Sequence, residues 1–274
     1  MEKYLNEINF FWIGNNISPT EQLAFASCIA NQMTPVLWCY NEIDGVTDYV
    51  IKKDARVIMS KDELNYYIND LRLQLPNVSD IFRYKLLAKV GGIYSDTDVI
   101  FIKNVYEIDI DEYFCSTFEY NYGSCASNCF MKIKKNSLTA TYLIDELEKR
   151  LDNFINFKTE SLNYCEFGPF LVQKCASKIP ITVLSYNIIN PISWRWTNKI
   201  IAFEKLDYKF LIKNALRKIL SFKLEKRGYF LTDQTYAIHL CSEMWKRYNI
   251  DPHGKMHKSS LFQKLKTKYK AYLP

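Results

Sequence analysis

Residues 79–102, SDIFRYKLLAKVGGIYSDTDVIFI, constrain the chain more than any other stretch. Ser79 is a good N-cap, and Ile81, Phe82, Tyr84, Leu86, Leu87 and Val90 suit a helix largely buried in a core. Gly91-Gly92 stops that helix, since glycine takes left-handed backbone without steric cost. Ile93-Tyr94 then leads through Asp96-Thr97-Asp98 into the β-branched run Val99–Ile102, which reads as a strand. Asp96 and Asp98 are two apart, so on extended chain both carboxylates share one side. They repel each other unless a cation lies between them, and a hard divalent cation such as Mg²⁺ or Mn²⁺ is the usual partner. Asp80 and Arg83, three apart on the helix, share a face and either hold a polar ligand beside the metal or form a surface ion pair.

The order Asp80-x-x-Arg83, Gly91-Gly92-Ile93-Tyr94, Asp96-Thr97-Asp98 resembles the nucleotide-sugar-dependent glycosyltransferases of the GT-A type. It is most similar to the family holding the Och1-like and α-1,4-galactosyl/N-acetylglucosaminyl transferases (glycosyltransferase family 32), and more distantly to the large clostridial glucosylating toxins. Residues 7–14 resemble the family's Phe-x-Trp-Ile-Gly start, with Trp12, Ile13 and Gly14 beside the donor nucleotide. Trp12 either stacks on the base or is core. Ser127-Asn128-Cys129-Phe130 resembles the segment lining the sugar pocket, although Asn128 equally suits a turn cap. Gly168-Pro169 looks like the start of the next family helix, and Trp194-Arg195-Trp196 lies in the loop before the C-terminal histidine. Ala237-Ile238-His239 through Trp245 resembles the terminal motif, with Cys241 where an aromatic is frequent.

The resemblance implies a retaining, metal-dependent transfer from a nucleotide sugar, with a UDP-sugar expected as donor. It makes Asp96 and Asp98 metal ligands, with His239 the third, because imidazole accepts Mn²⁺. It makes Arg83 a neutraliser of phosphate charge or a holder of the sugar, and Asp80 an acceptor from sugar hydroxyls. Tyr94, Ser95, Thr97, Asn128, Ser242 and Trp245 complete the donor contacts, with Ser242 and Trp245 closing over the diphosphate. No carboxylate identifies itself as a covalent nucleophile, so front-face attack is the expected course; Glu166 and Glu243 remain alternatives for activating the acceptor.

The expected architecture is α/β, a GT-A Rossmann-like, mostly parallel sheet flanked by helices. It follows from the alternation of strand (7–14, 36–40, 50–59) and helix (20–32, and 61–75 ended by Pro76) up to residue 102. Residues 113–118 and 127–133 read as further strands, 137–156 as a long amphipathic helix, and 183–185 as a short strand. Residues 1–245 are taken as the catalytic domain and 246–274 as a basic helical extension.

Composition enters through charge. The net charge of +6 is uneven: residues 205–227 hold eight Lys/Arg against two acids, and residues 246–274 eight against one. That basic C-terminal part either rests on anionic membrane, greets an acidic acceptor, or is a solvated helix face. No nucleic-acid motif appears. No stretch approaches the apolar run of about 18 residues a membrane-spanning helix needs, and the N-terminus shows no signal-peptide core, so a cytoplasmic enzyme is expected, peripheral on the inner face of the membrane if lipid is its partner. Eight cysteines without Cys-x-x-Cys read as reduced, mostly buried thiols rather than zinc ligands. The leading function is elongation of a saccharide or glycolipid. An effector-like transferase acting on a host protein, a non-catalytic sugar-nucleotide-binding module, and a nucleotidyltransferase releasing pyrophosphate are the alternatives.

Overall fold

In a computed structural model, residues 6–119, 122–157, 165–220 and 231–274 are described. The chain opens on β1 (Glu7–Trp12), whose Ile8 and Phe10 face one layer of helix while Phe11 faces the other. Helix α1 (Pro19–Ala30) follows, started by a reciprocal cap in which the Thr20 N–H donates to Ser18 and the Ser18 N–H to Glu21. Then come β2 (Thr34–Cys39) and β3 (Ile51–Asp54). Strands β3, β2 and β1 pair in parallel, and β1 pairs in parallel with β4 (Gly92–Ser95). Beyond β4 the sheet turns antiparallel through β7 (Gly123–Ile133) and β6 (Tyr113–Glu119), and ends on parallel β8 (Thr182–Val183). The seven-stranded order is β3-β2-β1-β4-β7-β6-β8. Helices cover both faces, so the expected α/β architecture with a mostly parallel sheet is what forms, with β7 running antiparallel to both of its neighbours.

The helix before the acids differs from expectation in where it starts. Residues 61–75 do not form one helix: α2 covers Lys61–Asn65 and passes into a wider π turn, Tyr66–Asp70. Helix α3 then runs Leu75–Lys89, with Pro76 opening it rather than ending its predecessor. Proline suits a first turn because the N–H it lacks has no partner there anyway. Ser79 therefore lies inside α3 rather than capping it. Phe82 stacks on Phe11 of β1 with ring centroids 3.7 Å apart, which fixes the rotation of α3 against the sheet. Gly91 and Gly92 end the helix at φ +76° and +96°, as expected; a Cβ on Gly91 would lie 2.7 Å from the Lys135 backbone nitrogen.

The run after the acids, β5 (Val99–Phe101), leaves the main sheet and pairs antiparallel with β9 (Ala237–His239). Helix α4 (Leu138–Phe157) buries Ala140, Leu143, Leu147 and Leu151 at helical spacing against the α3 side of the core. Helix α5 (Pro169–Lys178) and the short α6 (Tyr186–Ile189) follow, and α7 is Tyr208–Leu220. The expected strand 183–185 is only the short edge β8. Residues 246–274, with α8 (Ser242–Arg247) before them and α9 (Leu261–Lys268) within, pack into a third core cluster, where Met256, Phe262, Leu265 and Tyr269 join Ile100, Ile238 and Trp245. The Tyr269 hydroxyl donates to the Phe101 carbonyl at 2.6 Å. The part of the basic 205–227 segment that follows Leu220 lies outside the described residues. Among the described residues no helix is long and apolar enough to cross a membrane, and all eight cysteines are free thiols, as expected.

Candidate metal and donor site

Parallel strands in an open α/β sheet present their carboxyl ends along one edge, where ligands bind. The register pairs Asn9 with Tyr94, so Trp12 and Gly14 leave β1 at the edge where Asp96 and Asp98 leave β4. Strand β7 runs the other way, with Ser95 opposite Phe130, which brings Cys129 and Asn128 to the same edge. The Asp96 N–H donates to the Cys129 carbonyl at 2.8 Å, and the Val99 N–H closes back on the Asp96 carbonyl at 3.2 Å. Asp96-Thr97-Asp98 is therefore a tight turn between two strands of different sheets, anchored on both sides.

The partner ribbon supplies the histidine. Val99 lies opposite His239, and the Leu240 N–H donates to the Asp98 carbonyl at 2.9 Å. His239 Nε2 lies 3.1 Å from Asp98 Oδ1, while the Ser242 backbone N–H donates to Asp98 Oδ2 at 2.7 Å. Burial alone would raise the Asp98 carboxyl, but the His239 imidazolium and Ser242 overcome it and hold Asp98 down to about 2. Burial works against charge on His239 too, and Asp98 outweighs it, so the imidazole is raised well above its ordinary value. Asp96, with 26% of its side chain exposed, is pushed up to about 7 by burial, Arg83 opposing. Asp96, Asp98 and His239 each offer one ligand atom, all within 4.8 Å of one another. Two carboxylate oxygens and one imidazole nitrogen suit a divalent cation such as Mn²⁺ or Mg²⁺. His239 and Asp98 also pair with each other, 3.1 Å apart, so the same atoms that suit a cation form an ion pair when the imidazole is protonated.

Behind this cluster sits a second one. Arg83, 4% exposed, reaches Asp80 Oδ1 at 3.1 Å and Asp96 Oδ1 at 2.9 Å from Nη2, and donates from Nη1 to the Asn128 carbonyl at 2.6 Å. It also donates to the Ser79 hydroxyl at 3.2 Å and stacks over the Tyr94 ring at 4.9 Å. Asn128 Nδ2 donates to Asp80 Oδ1 at 2.7 Å. Burial pushes Asp80 up, with Arg83 and Asn128 opposing. Asp80 and Arg83 are thus a buried pair, not a surface one, and Asn128 stands in β7 rather than capping a turn. Asp80 Oδ2 faces Gly168: a Cβ there would lie 2.8 Å from it. The missing side chain of Gly168 makes room for Asp80 at the start of α5.

The remaining expected contacts divide. Trp12 and Ile13 are half-buried and Gly14 exposed at φ +137°, with Trp12 Nε1 donating to the Asn16 carbonyl at 3.0 Å. Thr97 and Ser242 are half-buried at the turn. Tyr94 and Ser95 are buried, so they position the turn instead of touching a ligand; the Tyr94 hydroxyl pairs with that of Ser79 at 3.3 Å. Trp245 does not face the acids. It is 2% exposed, packs edge-on against Phe262 and spends its N–H on the Leu240 carbonyl at 3.0 Å. Such a ring has no face left for a diphosphate. Glu166 is engaged by Arg150 and Glu243 by Lys246, each at 2.8 Å. Cys241, at φ +52°, brings its thiol 3.7 Å from His239 Nδ1, filling the place where an aromatic was expected. Trp194 donates to Glu119 at 3.0 Å and Trp196 packs on Phe210.

Sequence reasoning missed two supports of the site. Ser79 was read as a cap and serves Arg83 and Tyr94 instead. The Cys129 carbonyl holds the Asp96 N–H, for which no side-chain signal exists.

Among known proteins, residues 18–115 match a family model described as "Glycosyltransferase sugar-binding region containing DXD motif". No curated protein matches the chain. Of the solved structures, the PaToxG glycosyltransferase is 18% identical over 92% of this chain and 88% of its own, with a TM-score of 0.47. The catalytic domain of alpha-toxin from Clostridium novyi is 11% identical over 90% and 80%, at 0.42, and the UDP-bound glycosyltransferase domain from the YGT toxin is 11% identical over 66% and 69%, at 0.40. Likenesses this distant carry no statement about the activity of this chain. The span 18–115 contains Asp80, Arg83, Gly91-Gly92, Asp96 and Asp98, so both acid clusters apart from His239 and Asn128 fall inside the region that the glycosyltransferase family model describes as sugar-binding.

Proposed function

We propose that the chain is a metal-dependent, retaining glycosyltransferase that moves a hexose or N-acetylhexosamine from a UDP-sugar to a polysaccharide or glycolipid acceptor. The observation that supports this reading is the convergence of Asp96 and Asp98, inside the matched DXD region, with His239, outside it, at the carboxyl edge of the parallel strands. Charge balance supports it. With His239 neutral, Arg83 offsets one of the three carboxylates Asp80, Asp96 and Asp98, and the surplus suits one divalent cation.

When bound, Mn²⁺ or Mg²⁺ neutralises charge growing on the departing nucleoside diphosphate. Asp96, Asp98 and His239 would hold it, His239 as the neutral imidazole. Arg83 holds Asp96 at 2.9 Å and so fixes the turn; at 4% exposure it acts on the site through Asp96, as a positioning residue. Asp80 Oδ2 takes no described hydrogen bond and lies against Gly168, suiting it to accept from a sugar hydroxyl. Trp12, half-buried at the same edge, suits the nucleotide base. Glu166 and Glu243 are both engaged in ion pairs, which weighs against either as the base that activates the acceptor. The enzyme would work at the inner face of an anionic membrane, as a peripheral protein.

The test is nucleoside diphosphate release from UDP- and GDP-sugars, with and without Mn²⁺, beside Asp98→Asn. Metal-dependent release from one donor, lost in the variant, is expected. Absence of donor binding, read by calorimetry, would overturn the reading.

A further inference from the structure

Helix α7 is built unlike any other described element. Tyr208, Leu211, Ile212, Leu216, Ile219 and Leu220 are all exposed, Ile212 at 62%, Ile219 at 79% and Leu220 at 73%. At 100° per residue, Tyr208, Leu211, Ile212, Leu216 and Ile219 fall on one continuous arc. Lys209 and Lys213, both exposed, follow on its flank, with Leu220 between them. The opposite side holds the half-buried Phe210 and Asn214. Phe210 meets Trp196 with ring centroids 5.0 Å apart, and its N–H donates to Asp207 at 2.9 Å, while Asp207 pairs with Lys199 at 2.7 Å. The body of the protein thus grips α7 through Phe210 and its N-terminal end and presents the apolar arc outward.

A solvated surface helix has the reverse arrangement, apolar side in. An outward apolar arc with lysines at its border matches a helix lying in the plane of a bilayer interface, ring and aliphatic carbon in the acyl boundary and ammonium groups among phosphates. We infer that α7 docks this protein on an anionic lipid surface. Charge complementarity selects lipid over a second copy of the chain, since two such faces would bring Lys209 and Lys213 of each copy together. Helix α9 of the other basic segment buries its apolar side chains Phe262 and Leu265 in the third core cluster, whereas α7 leaves its apolar side chains outward beside its lysines, so α7 is the element that fits the contact. The inference deepens the membrane part of the reading above but does not depend on the acid site, because it concerns binding without donor or acceptor.

The experiment is co-sedimentation with vesicles of phosphatidylcholine alone and of phosphatidylcholine with phosphatidylserine, using the full chain without sugar nucleotide. Binding to the anionic vesicles and little to the neutral ones is expected. Lys209→Gln/Lys213→Gln should weaken it about 25-fold, roughly fivefold per lysine, and high salt should do the same. Ile212→Ser/Ile219→Ser should weaken it at least about tenfold. All four side chains are solvent-exposed, so unchanged circular dichroism confirms folding. No binding to anionic vesicles, binding that survives both double variants, or a concentration-dependent dimer abolished by Ile219→Ser would each overturn the inference. Loss of transferase activity in Asp98→Asn with vesicle binding intact would separate the two functions.

Discussion

Two acid clusters lie side by side in this molecule, and they are neutralised by different means. In the inner one, Asp80 is paired with Arg83 and Asn128, all buried, and the charge is settled within the protein. In the outer one, Asp96 and Asp98 share only a fraction of Arg83 and a protonated His239, at a turn with Asp96 partly open to solvent. A guanidinium cannot be displaced by a ligand because it never loses its proton. An imidazolium can, because a metal replaces the proton it holds. The inner cluster is therefore fixed within the protein, and the outer one suits the proposed exchange of a proton for a cation.

The comparison breaks hardest at Arg83, which serves both clusters. Arg83→Met leaves two carboxylates without their cation, and stability should fall by about 3–5 kcal/mol, read by urea unfolding. A loss below about 1 kcal/mol would mean the inner cluster does not rest on this pair. His239→Ala should cost metal affinity about 100-fold while leaving the fold intact, measured by Mn²⁺ titration; equal affinity would remove histidine from the ligand set.

The proton exchange itself gives a pH signature. Asp96, pushed up to about 7, and His239, raised above its ordinary value, must both lose protons for a cation to enter. Metal affinity should therefore rise with pH through about 7, and calorimetry in buffers of different ionisation enthalpy should show proton release. Proton-independent binding would place the cation elsewhere.

Gly168→Ala sharpens the comparison from the inner side, since its Cβ would crowd Asp80 Oδ2 at 2.8 Å. We expect a cost of about 1–3 kcal/mol and weaker donor binding with metal affinity unchanged. Glu243→Gln is the smallest change. Its pair with Lys246 is surface-exposed, so stability should move by less than about 0.5 kcal/mol and turnover not at all; a large loss of turnover would restore Glu243 as an acceptor base.

Local sequence determined the elements that carry the site. Gly91-Gly92 had to end α3, because only glycine takes two successive positive φ values without strain. The β-branched run after Asp98 had to extend, but the two carboxylates, expected on one side of an extended chain, are brought together by a turn closed by the Val99 N–H on the Asp96 carbonyl. The alternation of strand and helix was enough for an α/β sheet with parallel pairing. Tertiary structure decided what the local signals left open. Whether Asp80–Arg83 was a surface pair or a buried one depended on β7 and the Gly168 turn covering it, more than 40 residues away in the chain. Pro76 is equally compatible with ending one helix or opening the next, and the packing of Phe82 on Phe11 chose the second. Trp245 belonged to a motif, yet the third core cluster claimed its ring. Whether His239 reached the acids turned on one pairing, β5 with β9, which sets it opposite Val99 and 3.1 Å from Asp98. Local pattern fixes spacing along the chain, whereas burial and cross-strand register arise only when distant segments meet.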